Sequence, residues 1–142
     1  MAEAITVAPG DRATTPGWTG SQSFPARDDQ VRHARAFLRP MLADCPVADE
    51  VLLVCSELAG NAVQHSASAR RGGHFIVRVV IRTGAHVWIE VEDNGGRWAA
   101  RECTGEHGRG LFIVDELAAY WDIRGDDTGR VVCARLDWPG SW

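Results

Sequence analysis

Apolar residues recur every three or four positions along three stretches of this chain, and that spacing predicts three amphipathic helices. The helices are expected over residues 28–39, 47–65 and 110–119. Pro40 should end or bend the first helix, because proline lacks the backbone N–H that a helix interior needs. Each predicted helix has one apolar stripe and therefore needs a partner surface on which to pack.

Two other stretches, His74–Arg82 and His86–Asp93, alternate apolar and polar residues instead. A period of two predicts strands with one buried face. The three residues between them, 83–85, form a turn, so the two strands are expected to make an antiparallel hairpin in which Arg78 faces Glu90. A short edge strand over residues 18–24 and a closing hairpin, with strands at 121–124 and 130–137, complete the predicted elements.

The size and composition of the chain suit one globular domain. It has 142 residues, of which 45% are hydrophobic and 24% charged. Residues 1–17 are small, polar and punctuated by proline and glycine, which predicts a disordered tail before a domain at 18–142. No run is apolar enough to span a membrane and the N-terminus does not resemble a signal peptide, so a cytoplasmic protein is expected.

Charge and cysteine usage exclude several classes of function. The formal net charge is −4, which argues against nucleic acid as the main partner. The chain contains no lysine, so chemistry that needs one, such as phosphate binding by a P-loop lysine, is excluded. The four cysteines show no CxxC pair and no metal-ligand spacing, and they are expected to be free thiols.

The central predicted helix carries a carboxylate and a carboxamide one turn apart. Glu57 and Asn61 lie at the edge of its apolar stripe, with Gly60 beside them. Asparagine and glycine are both poor helix formers, and the glycine alone costs about 1 kcal/mol relative to alanine. Such a local exception indicates a functional site, although a polar surface stripe would explain this helix equally well.

A second candidate site residue ends the second strand of the hairpin. Asp93 continues the inward-facing series of that strand, and a buried carboxylate without a partner would cost several kcal/mol. Some group must therefore donate hydrogen bonds to it. The following residues, Asn94, Gly95 and Gly96, form a tight turn, so an aspartate that caps the loop is the simpler interpretation of this motif alone.

A third candidate lies where Gly108-Arg109-Gly110 leads into the last helix. Free N–H groups, the helix dipole and the absence of side chains make such a glycine-rich helix entry suited to anions. The pattern is weak by itself, because glycines also end loops. Residues 97–107, just before it, show no periodicity and are expected to form a mobile loop.

In this order and spacing, the three motifs resemble those of the GHKL (Bergerat-fold) ATPases, and among these the free-standing anti-sigma-factor serine/threonine kinases. The resemblance covers about residues 18–138. It identifies an N box from Glu57 through Asn61 to His65. The G1 box is Asp93-Asn94-Gly95, and the G2 box is Gly108-Arg109-Gly110-Leu111.

The resemblance implies a fold and a set of roles. The fold would be a two-layer α/β (α+β) sandwich, with the helices on one face of a mixed, mostly antiparallel sheet. Asn61 would bind Mg²⁺ held by the triphosphate, with His65 close by in the same box, and Glu57 would be the general base for an attacking hydroxyl. The G1 and G2 residues would bind ATP.

In this family the G1 aspartate accepts a hydrogen bond from the adenine amine, which assigns that role to Asp93, and Gly95 would let the base approach. Arg109, Gly110 and Leu111, after Gly108, would surround the phosphates beneath the 97–107 loop, the ATP lid. Relatives often carry threonine just after the glycine of the last hairpin turn, near the adenine, and Val131 is assigned to that position here.

Two functions from different classes follow from the resemblance. The first is an ATP- and Mg²⁺-dependent serine/threonine kinase that binds a sigma factor and phosphorylates an anti-sigma factor antagonist; members of the family it resembles are often homodimers. The second is a non-catalytic, nucleotide-dependent module that sequesters a partner, which Arg97 at the second glycine position of the G1 box favours. A sensor histidine kinase fits less well, because no helical segment carries a phospho-accepting histidine.

Overall fold

We analysed a computed structural model of the chain, which describes residues 6–7, 17–65, 72–94, 109–126 and 128–140. Three α-helices are present among these residues: α1 (Val31–Leu38), α2 (Ala48–His65) and α3 (Arg109–Leu117). Short 3₁₀ turns precede and follow α1, at Asp28–Gln30 and Arg39–Leu42. The α-helix ends before Pro40, as the sequence predicts.

Six strands form one sheet in the order β1-β2-β3-β4-β6-β5. Their bounds are β1 Thr6–Val7, β2 Gly17–Pro25, β3 His74–Arg82, β4 His86–Asp93, β5 Tyr120–Asp126 and β6 Gly129–Asp137. Every pairing between these strands is antiparallel, where the sequence predicted a mixed sheet with mostly antiparallel strands. The α/β sandwich expected from the sequence is confirmed.

The central hairpin has the predicted register. Arg78 lies opposite Glu90, and its guanidinium contacts the carboxylates of Glu92 at 2.8 Å and Glu90 at 3.8 Å. Gly84 supplies the turn, with φ at +84°, which glycine adopts without strain. Because the three groups are partly exposed, their ion pairs contribute little to the free energy of unfolding. They mainly hold the two strands in register and keep the outer face soluble.

The core lies between the inner face of the sheet and the helices. Val77, Val79, Val87, Ile89 and Val91 are at most 2% exposed, as are Val54 and Leu58 of α2 and Val114 of α3. All eight were predicted to be buried from periodicity alone. Leu117, predicted with them, is only partly buried because it is the last residue of α3.

The N-terminal region differs from the prediction in one respect. Thr6 and Val7 pair with Thr19 and Trp18, so they form an edge strand, and the expectation of a structureless tail is wrong for these two residues. It follows that β2 is an interior strand with a neighbour on each side. Two residues, Thr6 and Val7, are too short a segment to show the periodicity that would predict such a pairing.

The last hairpin depends on a glycine. Gly125 has φ at +108°, and a Cβ placed there would collide with the carbonyl oxygen of Gly129 on the paired strand. The sequence placed Gly125 in the turn; in the structure it is within β5, and the strands extend to Asp126 and Gly129.

Alanine substitution should therefore have opposite effects at two glycines. Gly125→Ala should lower the free energy of unfolding by about 1–3 kcal/mol through backbone strain. Gly60→Ala should raise it by about 1 kcal/mol, because Gly60 is helical and a Cβ there meets nothing within 4 Å. Urea denaturation of both variants, each the control for the other, measures this, and equal effects would contradict it.

Candidate functional site

The site begins on α2, where an apolar helix face carries a polar pair. Asn61 is only 7% exposed, and within the part of the chain that the structure describes its Nδ2 atom has no hydrogen-bond partner. A buried amide nitrogen without an acceptor is unfavourable by about 1–3 kcal/mol. An acceptor supplied by a ligand, such as a phosphate oxygen, would remove this cost.

Glu57 lies one helical turn before Asn61. Its side chain is partly buried, and this burial raises the pKa of the carboxyl above its ordinary value. A raised pKa follows when the ionised form loses solvation, and it brings the carboxylate closer to the proton affinity that a general base needs. Because Glu57 and Asn61 are four residues apart in a helix, the carboxylate and the carboxamide lie on the same side of α2.

Asp93 ends β4 on the inner face of the sheet, as its parity predicts, and is only 6% exposed. The residue directly opposite it on β6 is Arg130, which is 8% exposed. Directly opposed side chains in an antiparallel pair lie on the same face. A buried aspartate and a buried arginine thus occupy paired positions on the inner face at this end of the sheet.

This register corrects one assignment. Val131 pairs with Glu92, which belongs to the outer face, so Val131 does not lie beside Asp93. Arg130 occupies the position next to Asp93 instead. The alternation of β6 indicates that Arg130 faces inward, since it shares the parity of the buried residues Val132 and Ala134, but its place opposite Asp93 follows only from the register.

The third motif is described in part. α3 begins at Arg109, and Leu111 is buried at 4% exposure. Gly95, Gly108 and the 97–107 loop lie outside the described residues. For His65 and Gly110 the structure places the backbone, as the last residue of α2 and the second of α3.

The topology brings these elements toward one end of the sheet. Eight residues separate the end of α2 from His74, and the first strand residues of β3 lie beside the end of β4. After α3, the Ala119 N–H donates to the carbonyl oxygen of Arg135 at 2.8 Å, which anchors the end of this helix at the opposite end of β6.

Two cavities lined by described residues lie at opposite ends of β3. One of about 180 Å³ opens at the end that carries Asp93 and is also lined by Asn94 and Gly72. The larger cavity, of about 240 Å³, lies at the other end of β3 beside Trp18, Met41 and Trp138. It contains none of the predicted site residues. The smaller cavity includes Asp93 but not Glu57 or Asn61, and its lining residues Ile76 and Glu92 belong to the outer face, so neither cavity by itself defines the site.

The residues present fit a magnesium ion bound with a polyphosphate. No group of three or more histidine, cysteine, aspartate or glutamate side chains among the described residues could hold a metal by itself. Mg²⁺ usually takes one or two protein oxygens and completes its shell with phosphates and water. The carboxamide of Asn61 offers one such oxygen, together with an N–H₂ group for a phosphate oxygen.

Comparison with known families identifies the class of protein. The model of the histidine kinase-like ATPase domain matches residues 24–136, which is most of the chain. This chain therefore belongs to the histidine kinase-like ATPase domain family, and the matched range contains all three motifs. No curated protein sequence matches it significantly.

Solved structures share the fold at low identity. The RsbU and RsbW domains of Rv1364c from Mycobacterium tuberculosis superpose with a TM-score of 0.63 and 20% identity, over 84% of this chain and 33% of that one. The histidine kinase domain of the blue-light activated histidine kinase EL346 from Erythrobacter litoralis gives 0.51 and 19%, over 83% of this chain and 63% of that one. The chain thus spans about a third of the length of the first of these chains and less than two thirds of the second.

Two further observations bear on the sequence predictions. Cys45, Cys55 and Cys133 are free and buried, and burial raises the pKa of Cys55 to about 12, so this thiol stays neutral. Cys103 lies outside the described residues. No helix in the described ranges is long and apolar enough to cross a membrane.

The raised pKa of Glu57 makes a prediction about stability. Burial disfavours the carboxylate, so the folded protein is penalised above the raised pKa, whereas below the unfolded-state pKa the group is neutral in both states and the penalty vanishes. Glu57→Gln should therefore be more stable than the parent near neutral pH, and this advantage should shrink as the pH falls below the raised pKa and vanish below the unfolded-state pKa. Denaturant midpoints across this range measure the difference.

The control is Glu116→Gln at an exposed position of α3. It should show no comparable gain as the pH rises. A Glu57→Gln variant that is less stable than the parent at neutral pH would mean that the Glu57 carboxylate has a stabilising partner.

Proposed function

We propose that this chain is an ATP-binding anti-sigma factor that acts as a serine/threonine kinase on an antagonist protein. The observation that carries the proposal is the buried carboxamide of Asn61, with its Nδ2 atom unsatisfied among the described residues, one turn from a carboxyl whose pKa is raised by burial. Family membership supports ATP as the ligand. The RsbW domain named in one of the similar structures supports the regulatory, anti-sigma type.

Each group has a role in the proposed reaction. Asn61 holds the metal through its oxygen and donates its N–H₂ group to phosphate. Glu57 accepts the proton of the attacking serine or threonine hydroxyl as the O–P bond to the γ-phosphate forms and the bond to the ADP oxygen breaks. Bound Mg²⁺ supplies charge neutralisation on the phosphates. The remaining catalysis is positioning by the helix N-terminus of α3.

Asp93 sets the choice of base in this proposal. Its carboxylate, at the inner end of β4, accepts a hydrogen bond from the exocyclic amine of adenine. Gly95 and the G2 residues, with Gly108, Arg109, Gly110 and Leu111, complete the ATP site in the way the family resemblance implies. A sigma factor and its antagonist are the proposed partners.

A second candidate function is a nucleotide-dependent module that sequesters its partner without phosphorylating anything. Two arginines favour it. Arg97 stands at the second glycine position of the G1 box in the sequence, and Arg130 lies opposite Asp93 in the sheet. Both functions require nucleotide binding, so only phosphoryl transfer separates them.

Base selectivity tests the role of Asp93. Guanine presents a carbonyl oxygen where adenine presents an amine, so the Asp93 carboxylate would face another acceptor. Loss of this buried hydrogen bond corresponds to roughly 1–3 kcal/mol, or about ten- to hundredfold in affinity. Titration calorimetry with ADP and GDP should show this preference, and equal affinities would rule out the role.

Substitution of Glu57 and Asn61 on α2 tests whether the two residues have the separate roles proposed for them. Asn61→Ala should weaken Mg²⁺-dependent ATP binding and abolish transfer with it. Glu57→Ala should keep ATP affinity nearly intact, because it removes a negative charge near the phosphates, yet lose a factor of about 10²–10⁴ in rate. ATP affinity and phosphoserine formation are measured together for each variant.

Gln64→Ala, at an exposed position of the same helix, is the matched control and should resemble the parent in both measurements. If the parent binds ATP and its partner but phosphorylates no antagonist, the kinase function is wrong and the sequestering module stands. If Glu57→Ala retains the full transfer rate, Glu57 is not the base.

A further inference from the structure

Arg130 is an exception to the pattern of arginines in the last hairpin. Arg124 and Arg135 alternate onto the outer face, where they pair with Asp122 at 3.2 Å and Asp137 at 2.9 Å and remain partly exposed. Arg130 instead shares the inner face with the core residues of β6 and is only 8% exposed. Guanidinium groups are seldom buried to this extent unless a charge compensates them.

The register places a carboxylate directly opposite this guanidinium. Asp93 is directly opposite Arg130, it is also buried, and the two residues end the inner face of their strands together. Either charge alone would lose several kcal/mol of solvation at this depth. Asp126, another described carboxylate near Arg130, is exposed and already accepts hydrogen bonds from the N–H and hydroxyl of Thr128 at 2.8 and 2.6 Å.

We propose that Arg130 is a specificity-determining residue of the nucleotide site, where it keeps the Asp93 carboxyl ionised and thereby selects a purine with a 6-amino group over one with a 6-oxo group. This inference rests on the proposed function, since it assumes that Asp93 meets the base. It adds a residue that acts through Asp93 and explains how a buried carboxylate remains a pure acceptor.

The chemistry follows from the protonation state of one group. An ionised carboxylate only accepts hydrogen bonds, so it binds an amine and rejects a carbonyl oxygen. A protonated carboxyl carries an O–H that can donate to a carbonyl oxygen. Without the guanidinium, burial favours protonation of Asp93, and discrimination between the two kinds of base weakens as the pH falls.

Other titratable groups near this end of the sheet are few among the described residues. Glu92 on β4 and His74 on β3 line the cavity that opens beside Asp93, and Glu57 lies on the helix packed over the sheet. The two glutamates would disfavour a charged Asp93, and they remain in every variant. A comparison of variants at one pH therefore isolates the contribution of Arg130.

The test compares ADP with inosine diphosphate, which differs in carrying a 6-oxo group in place of the amine. The affinity ratio is measured at about pH 6 and about pH 7.5, so that phosphate protonation, common to both ligands, cancels. The parent should keep a nearly constant ratio. Arg130→Met should show a ratio that falls by about threefold to tenfold on acidification.

Three variants control for folding and charge. Arg130→Lys keeps the charge and should retain the constant ratio of the parent. Arg124→Met removes an exposed arginine of the same hairpin and should change nothing. If Arg130→Met does not fold, the double variant Asp93→Asn, Arg130→Met removes both buried charges and should recover the fold, while it loses the preference for ADP.

A carboxyl ¹³C NMR titration of Asp93 without nucleotide provides an independent measurement. Its resonance should titrate at higher pH in Arg130→Met than in the parent and in Arg130→Lys. An identical titration in parent and Arg130→Met would overturn the inference, as would a constant ADP preference in Arg130→Met. Loss of inosine diphosphate binding in that variant would also overturn it, because Arg130 would then contact the base itself.

These outcomes separate the inference from the proposed function. A parent that binds neither nucleotide would overturn both. A parent that binds ADP selectively, with unchanged selectivity in Arg130→Met, would overturn the inference alone. Failure of phosphoryl transfer, by contrast, leaves every binding outcome here unaffected and counts only against the kinase.

Discussion

The packing of α2 on the inner face of the sheet is the interaction on which the rest of the structure depends. This helix contacts α1, α3 and three strands, and its buried residues form the centre of the core. Burial of aliphatic side chains contributes about 25 cal/mol for each Å² removed from water, so this seam is the main source of stability. Any polar group inside it must be matched by another polar group, in the protein or in a ligand.

Three described polar residues less than a tenth exposed break the apolar character of the inner layer: Asn61, Asp93 and Arg130. Asp93 and Arg130 lie directly opposite each other on the paired strands β4 and β6. Asn61 has an unsatisfied nitrogen among the described residues, which makes it the group with most to gain from a ligand. Such local exceptions within an otherwise consistent fold are typical of functional sites, where stability is traded for activity.

Charged residues have different effects on the two faces of the sheet. On the outer face, Arg78 bridges Glu90 and Glu92, and Trp88 donates its indole N–H to Glu90 at 2.8 Å while it stacks on Tyr120. These contacts are partly exposed and mainly hold the strands in register. The inner face, protected from water, is where the same kinds of charge acquire large energetic effects, because solvent screens them less.

The sequence by itself determined the elements with strong periodicity and the motifs placed on them. β3 and β4 lie at their predicted bounds, and α2 begins within one residue of its predicted start, because hydrophobic alternation is a property of each segment and survives folding. Asp93 was predicted to face inward by the same parity.

Local signals could not predict the pairing of Thr6–Val7 with β2, since two residues contain no period. Nor could they show that Arg130, and not Val131, lies beside Asp93. That neighbour depends on which strands pair and in what register, and cross-strand register is settled by the burial of many side chains at once, which only the tertiary structure decides.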